Sequence, residues 1–150
     1  KRACSVQELI KNAISELTTR ATQEKKQLIV QGTPNQTVIC DMDWTSEAIG
    51  NLVKNALDHT EAGGIIRITW ESTPTMLRIL VSDNGSGIAP EDIHHIFKRF
   101  YRSKYSLNIP GIGLGLPLAK SIIEGQGGLI SVQSVLHEGT TFSVSFLTKS

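Results

Sequence analysis

Residues 45–58 (TSEAIGNLVKNALD) decide the fold of this chain, together with IRITW at 66–70 and MLRILVS at 76–82. Apolar residues in the first segment recur every three or four positions, which predicts an amphipathic helix from about Thr45 to Asp58. The two later segments are short, apolar and bounded by turn formers, which predicts two strands. A helix followed by two adjacent strands indicates a sheet that is covered by helices on one face.

The rest of the chain extends this pattern in both directions. The other predicted elements are a helix from about Val6 to Gln23 opened by a capping box at Ser5, a hairpin of Leu28–Gln31 and Thr37–Cys40, a third helix around Leu118–Ile123, and strands at Ile130–Val132 and Phe142–Phe146. Helices that alternate with antiparallel strands predict a two-layer α+β sandwich.

Composition places the chain among ordinary globular proteins. Its 150 residues are 39% hydrophobic and 19% charged, which predicts one domain over residues 1–150 and excludes wholly disordered and fibrous classes. The formal net charge of +1 gives no indication of a nucleic-acid-binding or polybasic protein.

Cys4 and Cys40 lack metal-ligand spacing, so we expect two reduced thiols in a cytosolic protein. No apolar run is long enough to span a bilayer, so we expect a soluble chain.

The periodic pattern fails between Gly85 and Gly115. Only one short helical piece is predicted there, around Glu91 to Phe100, and so long an irregular connection in a compact domain is typically functional or mobile. Phe97 and Phe100, three positions apart, are predicted to form a hydrophobic plug that holds the segment to the domain. The basic residues that could either reach a phosphate or form a solvated turn are Arg99, Arg102 and Lys104.

A polar stripe follows the helix at 45–58. Its members, spaced by four, four and three positions, are Glu47, Asn51, Asn55 and Asp58. A solvated face explains Glu47 and Asp58, whereas asparagine is a poor helix former that Lys or Glu would normally replace on such a face. An asparagine carbonyl is a neutral oxygen ligand suited to hydrated magnesium. Asn51 and Asn55 are therefore candidate binding residues.

Two glycine-rich stretches are further candidates. The segment Asp83–Ile88 is typical of a tight turn, and it also leaves a carboxylate at the end of a strand, where it can accept a hydrogen bond from an exocyclic amine such as that of adenine. The segment Gly111–Gly115 leads into the third helix, whose N-terminus can attract an anion such as a triphosphate; a flexible hinge is compatible with this. Gly139-Thr140 is a weaker candidate at the start of the last strand. Neither a dinucleotide fingerprint nor a P-loop is present.

Taken together and in their order along the chain, five stretches resemble the ATP-binding catalytic domain of bacterial sensor histidine kinases, within the GHKL superfamily of gyrase, chaperone, histidine kinase and mismatch-repair ATPases. They are residues 47–60 as the asparagine box, 83–88 as the first glycine box, 96–102 as the phenylalanine box, 111–115 as the second glycine box and 139–142 as the third. The resemblance implies a two-layer α/β sandwich with a mixed, mostly antiparallel sheet, three main helices on one face and a mobile ATP lid from about His95 to Ile112.

The resemblance also implies ATP and Mg²⁺ as cofactors and assigns roles to residues. Asp83 would bind the adenine amine, and Asn55 would coordinate Mg²⁺ with Asn51 beside it. Arg102 would hold the outer phosphates and complete the catalytic set with the two asparagines. The other residues that would line the nucleotide are His59, Gly85, Gly87, Ile88, Phe100, Gly111, Gly113, Leu114, Gly115 and Thr140.

One position separates phosphoryl transfer from hydrolysis. In relatives that hydrolyse ATP, a glutamate at the position of Asn51 activates water. An amide cannot act as a general base, so the resemblance favours transfer of the γ-phosphoryl group to an external nucleophile. Two departures from the family stand nearby, since Asp58 replaces a common lysine and His59 a common aromatic ring.

The family's acceptor histidine, followed by an acidic residue and a proline, is not found at His59, His94, His95 or His137. The expected partners are therefore a separate dimerisation and phosphoacceptor domain of the intact protein and a response regulator. The resemblance implies an intact protein that is a homodimer anchored in the bacterial cell membrane, with this domain, monomeric when isolated, in the cytoplasm. Two other functions stay open: a GHKL ATPase or anti-sigma-type serine kinase, and a non-catalytic nucleotide-sensing module.

Overall fold

A computed structural model describes residues 1–101 and 114–148 of the chain. Its elements, in chain order, are β1 (Arg2–Ser5), α1 (Val6–Ile14), α2 (Leu17–Gln23), β2 (Gln27–Gly32), β3 (Thr37–Cys40), α3 (Met42–Asp58), β4 (Ile65–Ser72), β5 (Met76–Asp83), α4 (Gly115–Gly125), β6 (Leu129–Val135) and β7 (Gly139–Leu147). Within these two ranges, no helix is both long enough and apolar enough to cross a membrane.

The main layer is a five-stranded sheet in the order β2-β4-β5-β7-β6. β2 pairs with β4 in parallel, and the other neighbours are antiparallel, which confirms the predicted mixed, mostly antiparallel sheet. One face is apolar, because alternate residues such as Ile79, Phe142 and Val144 point to it and are buried. Helix α3 lies against β4 and β5, and α4 packs between α3 and β6. The predicted two-layer α+β sandwich is confirmed.

The sequence pattern predicts one continuous helix from Val6 to Gln23, but the structure has two helices there. α1 ends at Ile14 and α2 starts at Leu17. At the break, the Ser15 hydroxyl donates to the Asn12 carbonyl at 3.3 Å, and the Thr18 hydroxyl donates to the Ser15 carbonyl at 3.3 Å. Hydroxyls of this kind offer the backbone a partner other than the helical amide, and a helix interrupted at this point is the result.

The predicted hairpin of Leu28–Gln31 and Thr37–Cys40 is wrong. β2 joins the main sheet beside β4, with Leu28 opposite Ile66, whereas β3 pairs with β1 in a separate two-stranded ribbon. The connection between them is held by Trp70, whose indole N–H donates to the Thr33 carbonyl at 2.7 Å. The sequence pattern missed β1 because this strand is four residues long and mostly exposed.

The ribbon brings the two cysteines together. Cys4 and Cys40 are both free and buried, and the Cys4 thiol lies 3.5 Å from the Cys40 carbonyl oxygen. Burial raises the pKa of the Cys40 thiol to about 11, so this group stays protonated at neutral pH.

α3 begins three residues earlier than predicted, at Met42. Asp41 caps it by accepting a hydrogen bond from the Trp44 amide at 2.9 Å. The Gln126 side chain, at the end of α4, accepts from the Asp41 amide at 2.7 Å and donates to the Thr45 hydroxyl at 2.9 Å. The end of α4 is thereby tied to the start of α3, so the two helices run antiparallel and the start of α4 lies along the middle of α3.

Residues 91–100 form successive turns instead of the predicted short helix. Their backbone bonds join residues three apart, as from the His95 amide to the Asp92 carbonyl at 2.8 Å. Phe97 packs edge-on against Phe142, with ring centroids 6.2 Å apart, but Phe100 is 66% exposed. The hydrophobic plug therefore consists of Phe97 without Phe100, because the turns do not keep the helical spacing that would place both rings on one face.

Candidate functional site

The polar stripe of α3 divides into two parts. Asp58 turns to α2, where its carboxylate accepts a hydrogen bond from the Arg20 guanidinium at 2.6 Å. Glu47 lines a polar groove of about 350 Å³ between α1 and α3, together with Lys54. Only Asn51 and Asn55 are left between these contacts. Asp58, which replaces the lysine common in the family, therefore forms an ion pair with Arg20 of the same chain.

Asn51 lies against the start of α4. A Cβ atom on Gly115 would stand 3.9 Å from Cβ and Cγ of Asn51. The Asn51 side-chain nitrogen is buried and has no hydrogen-bond partner among the described residues. Leu114, the N-cap of α4, provides no capping side chain there either. A side-chain amide without a partner among the described residues thus meets the positive end of a helix dipole, which is the chemistry of an anion site.

The unpaired Asn51 amide gives a prediction about stability. A buried donor without a partner is unfavourable by about 1–3 kcal/mol, and alanine is the better helix former. Because the lost side chain also leaves a small gap, we expect Asn51→Ala to raise the free energy of unfolding by about 1 kcal/mol. Thermal or urea unfolding measures it, with the exposed helical Asn12→Ala as the control for helix propensity. A loss of stability in Asn51→Ala would contradict the prediction.

Asp83 ends β5, as the sequence pattern had indicated. Its carboxylate accepts a hydrogen bond from the Gly85 amide at 2.8 Å. Burial raises the pKa of this carboxyl, and hydrogen bonds from the backbone amides of Gly85 and Thr140 act in the opposite direction. Asp83 is thus a partly buried acceptor at the sheet rim.

The two glycines after Asp83 pack the loop against the protein itself. A Cβ on Gly85 would lie 2.2 Å from the His59 carbonyl oxygen, and one on Gly87, where φ is +72°, would lie 2.1 Å from that of Val135. Only glycine allows both approaches. The loop is therefore bound to the end of α3 at His59 and to the end of β6 at Val135.

His59 connects the asparagines to this loop. The His59 backbone amide donates to the Asn55 backbone carbonyl at 3.1 Å, and the His59 backbone carbonyl accepts from the Ser86 backbone amide at 2.9 Å. Burial lowers the pKa of its imidazole. The C-terminal end of the helix that carries Asn51 and Asn55 is therefore joined, at His59, to the loop that follows Asp83.

Ser134, which no sequence pattern indicated, holds the Asp83 loop to the start of β7. Ser134 on β6 accepts a hydrogen bond from the Ile88 amide at 2.7 Å and donates to the Gly139 carbonyl at 2.9 Å. Its oxygen also lies 2.8 Å from the Thr140 hydroxyl. Strand alternation placed Ser134 on the inner side of β6, but its three partners come from other segments, so no local pattern revealed it.

The structure thus brings most predicted site residues together. The predicted residues that these contacts connect are Asn51, Asn55, His59, Asp83, Gly85, Gly87, Ile88, Leu114, Gly115 and Thr140. Phe100 is exposed and has a φ of +63°. Arg102, Gly111 and Gly113, with most of the predicted lid, lie outside the described residues.

Comparison with known proteins shows the class of this domain. Residues 40–150 match the family model of the histidine kinase-, DNA gyrase B- and HSP90-like ATPases, so the chain belongs to that family. It is homologous to sensor histidine kinases, as the resemblance had indicated. The sensor protein SrrB of Staphylococcus aureus is 40% identical over 106 residues, which cover 69% of this chain and 18% of SrrB. The chain thus matches less than a fifth of that relative's length.

Two solved structures are similar over nearly the whole chain. The mycobacterial sensor histidine kinase MprB has a TM-score of 0.88 and 26% identity, covering 97% of each chain. The nucleotide-free catalytic domain of the histidine kinase ThkA has a TM-score of 0.85 and 25% identity, covering 99% of this chain and 97% of its own. These matches confirm the predicted fold class.

Proposed function

We propose that this domain binds Mg-ATP and donates the γ-phosphoryl group to a histidine on a separate dimerisation and phosphoacceptor domain. The observation that carries the proposal is one connected set of residues: Asn51 lies against the start of α4, and His59 joins the helix of Asn51 to the Asp83 loop. The set has an anion-attracting helix start at one end and a carboxylate acceptor at the other, which suit the triphosphate and the amine of ATP.

The base would lie against the Asp83 loop. The Asp83 carboxylate accepts from the 6-amino group of adenine, beside Gly87 and Thr140. The triphosphate extends along α3 to the start of α4, where the Asn51 amide and the first backbone N–H groups of α4 donate to its oxygens. Arg102, Gly111 and Gly113 are proposed to complete the phosphate contacts as the lid closes.

The residues present fit magnesium that is carried by the nucleotide. Within residues 1–101 and 114–148 there is no cluster of three or more His, Cys, Asp or Glu side chains that could cage a metal. Mg²⁺ keeps several waters and commonly binds through one or two protein oxygens plus phosphates. The side-chain amide oxygen of Asn55 would be that protein ligand. The ion would neutralise charge at the phosphates.

The amide side chain at position 51 favours phosphoryl transfer over hydrolysis. Asn51 stands next to the phosphate end, and an amide cannot deprotonate water. The remaining residues position the phosphates and neutralise their charge, which is what phosphoryl transfer requires. In the transfer, the bond between the γ-phosphorus and the bridging oxygen breaks, ADP leaves, and an imidazole nitrogen of the acceptor binds the phosphorus.

The partners follow from this proposal. ThkA has been solved in complex with the response regulator protein TrrA. We propose that the phosphohistidine made by this domain passes its phosphoryl group to a response regulator. The intact protein is proposed to be a homodimer anchored in the bacterial cell membrane, with this domain in the cytoplasm.

The test is to incubate the full chain with γ-labelled ATP, Mg²⁺ and a purified phosphoacceptor hairpin from a sensor histidine kinase. We expect label on the acceptor histidine, and none when that histidine is replaced or Mg²⁺ is chelated. Rapid release of free phosphate without labelled histidine would instead favour a GHKL ATPase. Label on a serine would favour an anti-sigma-type kinase, and ATP binding without transfer a nucleotide-sensing module.

A further inference from the structure

Ser134 joins three segments of the proposed base-binding corner. It bonds the Ile88 amide of the Asp83 loop, the Gly139 carbonyl at the start of β7, and the Thr140 hydroxyl, at 2.7, 2.9 and 2.8 Å. Thr140 pairs directly with Asp83 across β5 and β7 and is only 5% exposed. The serine is thus one residue removed from the group that would read the base.

The other two hydrogen bonds of Ser134 determine which hydroxyl donates in the contact between Ser134 and Thr140. A hydroxyl has one proton to donate and two lone pairs that accept. The Ile88 amide occupies one lone pair of Ser134, and the Ser134 proton goes to the Gly139 carbonyl. The third contact is satisfied only if Thr140 donates its proton to Ser134. The opposite direction would take the Ser134 proton away from Gly139 and leave the network one bond short.

We propose that Ser134 is a positioning residue that holds the Thr140 hydroxyl as a pure hydrogen-bond acceptor, so that the site selects a 6-amino purine over a 6-oxo purine. This inference rests on the proposed ATP-binding function. With its proton directed at Ser134, Thr140 offers only lone pairs to a ligand. The neighbouring Asp83 carboxylate offers only lone pairs as well.

Two adjacent acceptors suit one purine class. The 6-amino group of adenine donates hydrogen bonds, whereas the 6-oxo group of hypoxanthine and guanine accepts them. A 6-oxo group facing Asp83 and Thr140 would leave polar atoms unpaired, which is the strongest basis for rejecting an analogue. Without Ser134, the Thr140 hydroxyl can rotate and donate, and part of the discrimination disappears.

The experiment compares Mg-ATP with Mg-ITP, which differ at the 6-position, by calorimetric binding to the full chain. In Ser134→Ala, we expect the preference for ATP over ITP to fall by about tenfold, the value of one hydrogen bond. Ser134→Thr keeps the hydroxyl and should restore most of the preference. The matched control is Ser131→Ala, which changes an exposed serine of the same strand and should leave the preference intact.

A double-mutant cycle separates positioning from general loosening. Thr140→Ala should reduce the preference by itself, and adding Ser134→Ala should reduce it no further, because the serine acts through Thr140. If Ser134→Ala does not fold, Thr140→Ala and Ser134→Thr carry the test. An unchanged preference in folded Ser134→Ala or in Thr140→Ala would overturn the inference while ATP binding stands. A wild-type chain that binds neither nucleotide would overturn the proposed function itself.

Discussion

Asp83→Asn is expected to weaken ATP binding by about one to two orders of magnitude. The carboxylate is proposed to accept a charge-assisted hydrogen bond from the adenine amine, and such a bond is worth about 1.5–3 kcal/mol. The fold should survive, because the asparagine oxygen can still accept from the Gly85 amide, which lies 2.8 Å from the Asp83 carboxylate. Calorimetric binding of Mg-ATP measures the loss, and Asp43→Asn on the exposed start of α3 is the control.

The same carboxyl predicts a pH dependence. Burial raises its pKa in the folded protein above the ordinary value near 3.8. The stability that it contributes is therefore complete below pH 3.8 and is lost as pH rises through the raised pKa. Binding that needs the charged form has the opposite trend, and ATP affinity should fall as pH drops towards that pKa. Asp83→Asn should lack this part of the pH profile. Equal affinity and equal pH profiles in the folded variant and the wild type would remove Asp83 from the site.

Asn55→Ala is expected to abolish the strengthening of ATP binding by Mg²⁺ and to lower phosphoryl transfer by about two orders of magnitude or more. The amide oxygen is the proposed protein ligand of the metal, and the metal neutralises charge where the phosphate is transferred. The measurements are ATP affinity with and without Mg²⁺, and transfer of label to the acceptor histidine.

Two variants make this prediction specific. Asn55→Asp keeps an oxygen ligand at the same place and should keep the magnesium effect. Asn12→Ala replaces an exposed helical asparagine and should change neither affinity nor transfer. A full magnesium effect in Asn55→Ala would show that another residue holds the metal.

Local patterns predicted the elements that carry the site. The periodicity of α3 is a property of consecutive residues, and so is the position of Asp83 after an apolar strand. The pairing of strands was harder to predict from local patterns. β2 lies beside β4, whose residues follow it by 38 positions in the register Leu28↔Ile66, and nothing within β2 identifies that neighbour. The predicted hairpin with β3 was wrong for this reason.

Side-chain partners were the least predictable feature of the site. Gln126 carried no recognisable signal, yet it bonds Asp41 and Thr45 and aligns α4 with α3. No sequence pattern indicated Ser134 either, although it forms hydrogen bonds with Ile88, Gly139 and Thr140. Each of these groups contacts residues from segments distant in sequence, so its role exists only after packing.

The sequence by itself determined the family, the amphipathic helix with its two asparagines, and the carboxylate at the end of β5, because spacing and turn chemistry act between near neighbours. Only the tertiary structure decided which groups each member of the polar stripe contacts. Asp58 pairs with Arg20 on α2, while Asn51 lies against the start of α4 and its side-chain amide has no partner among the described residues. The physical reason is that a polar side chain is directed by its hydrogen-bond partner, and here those partners come from other helices and strands.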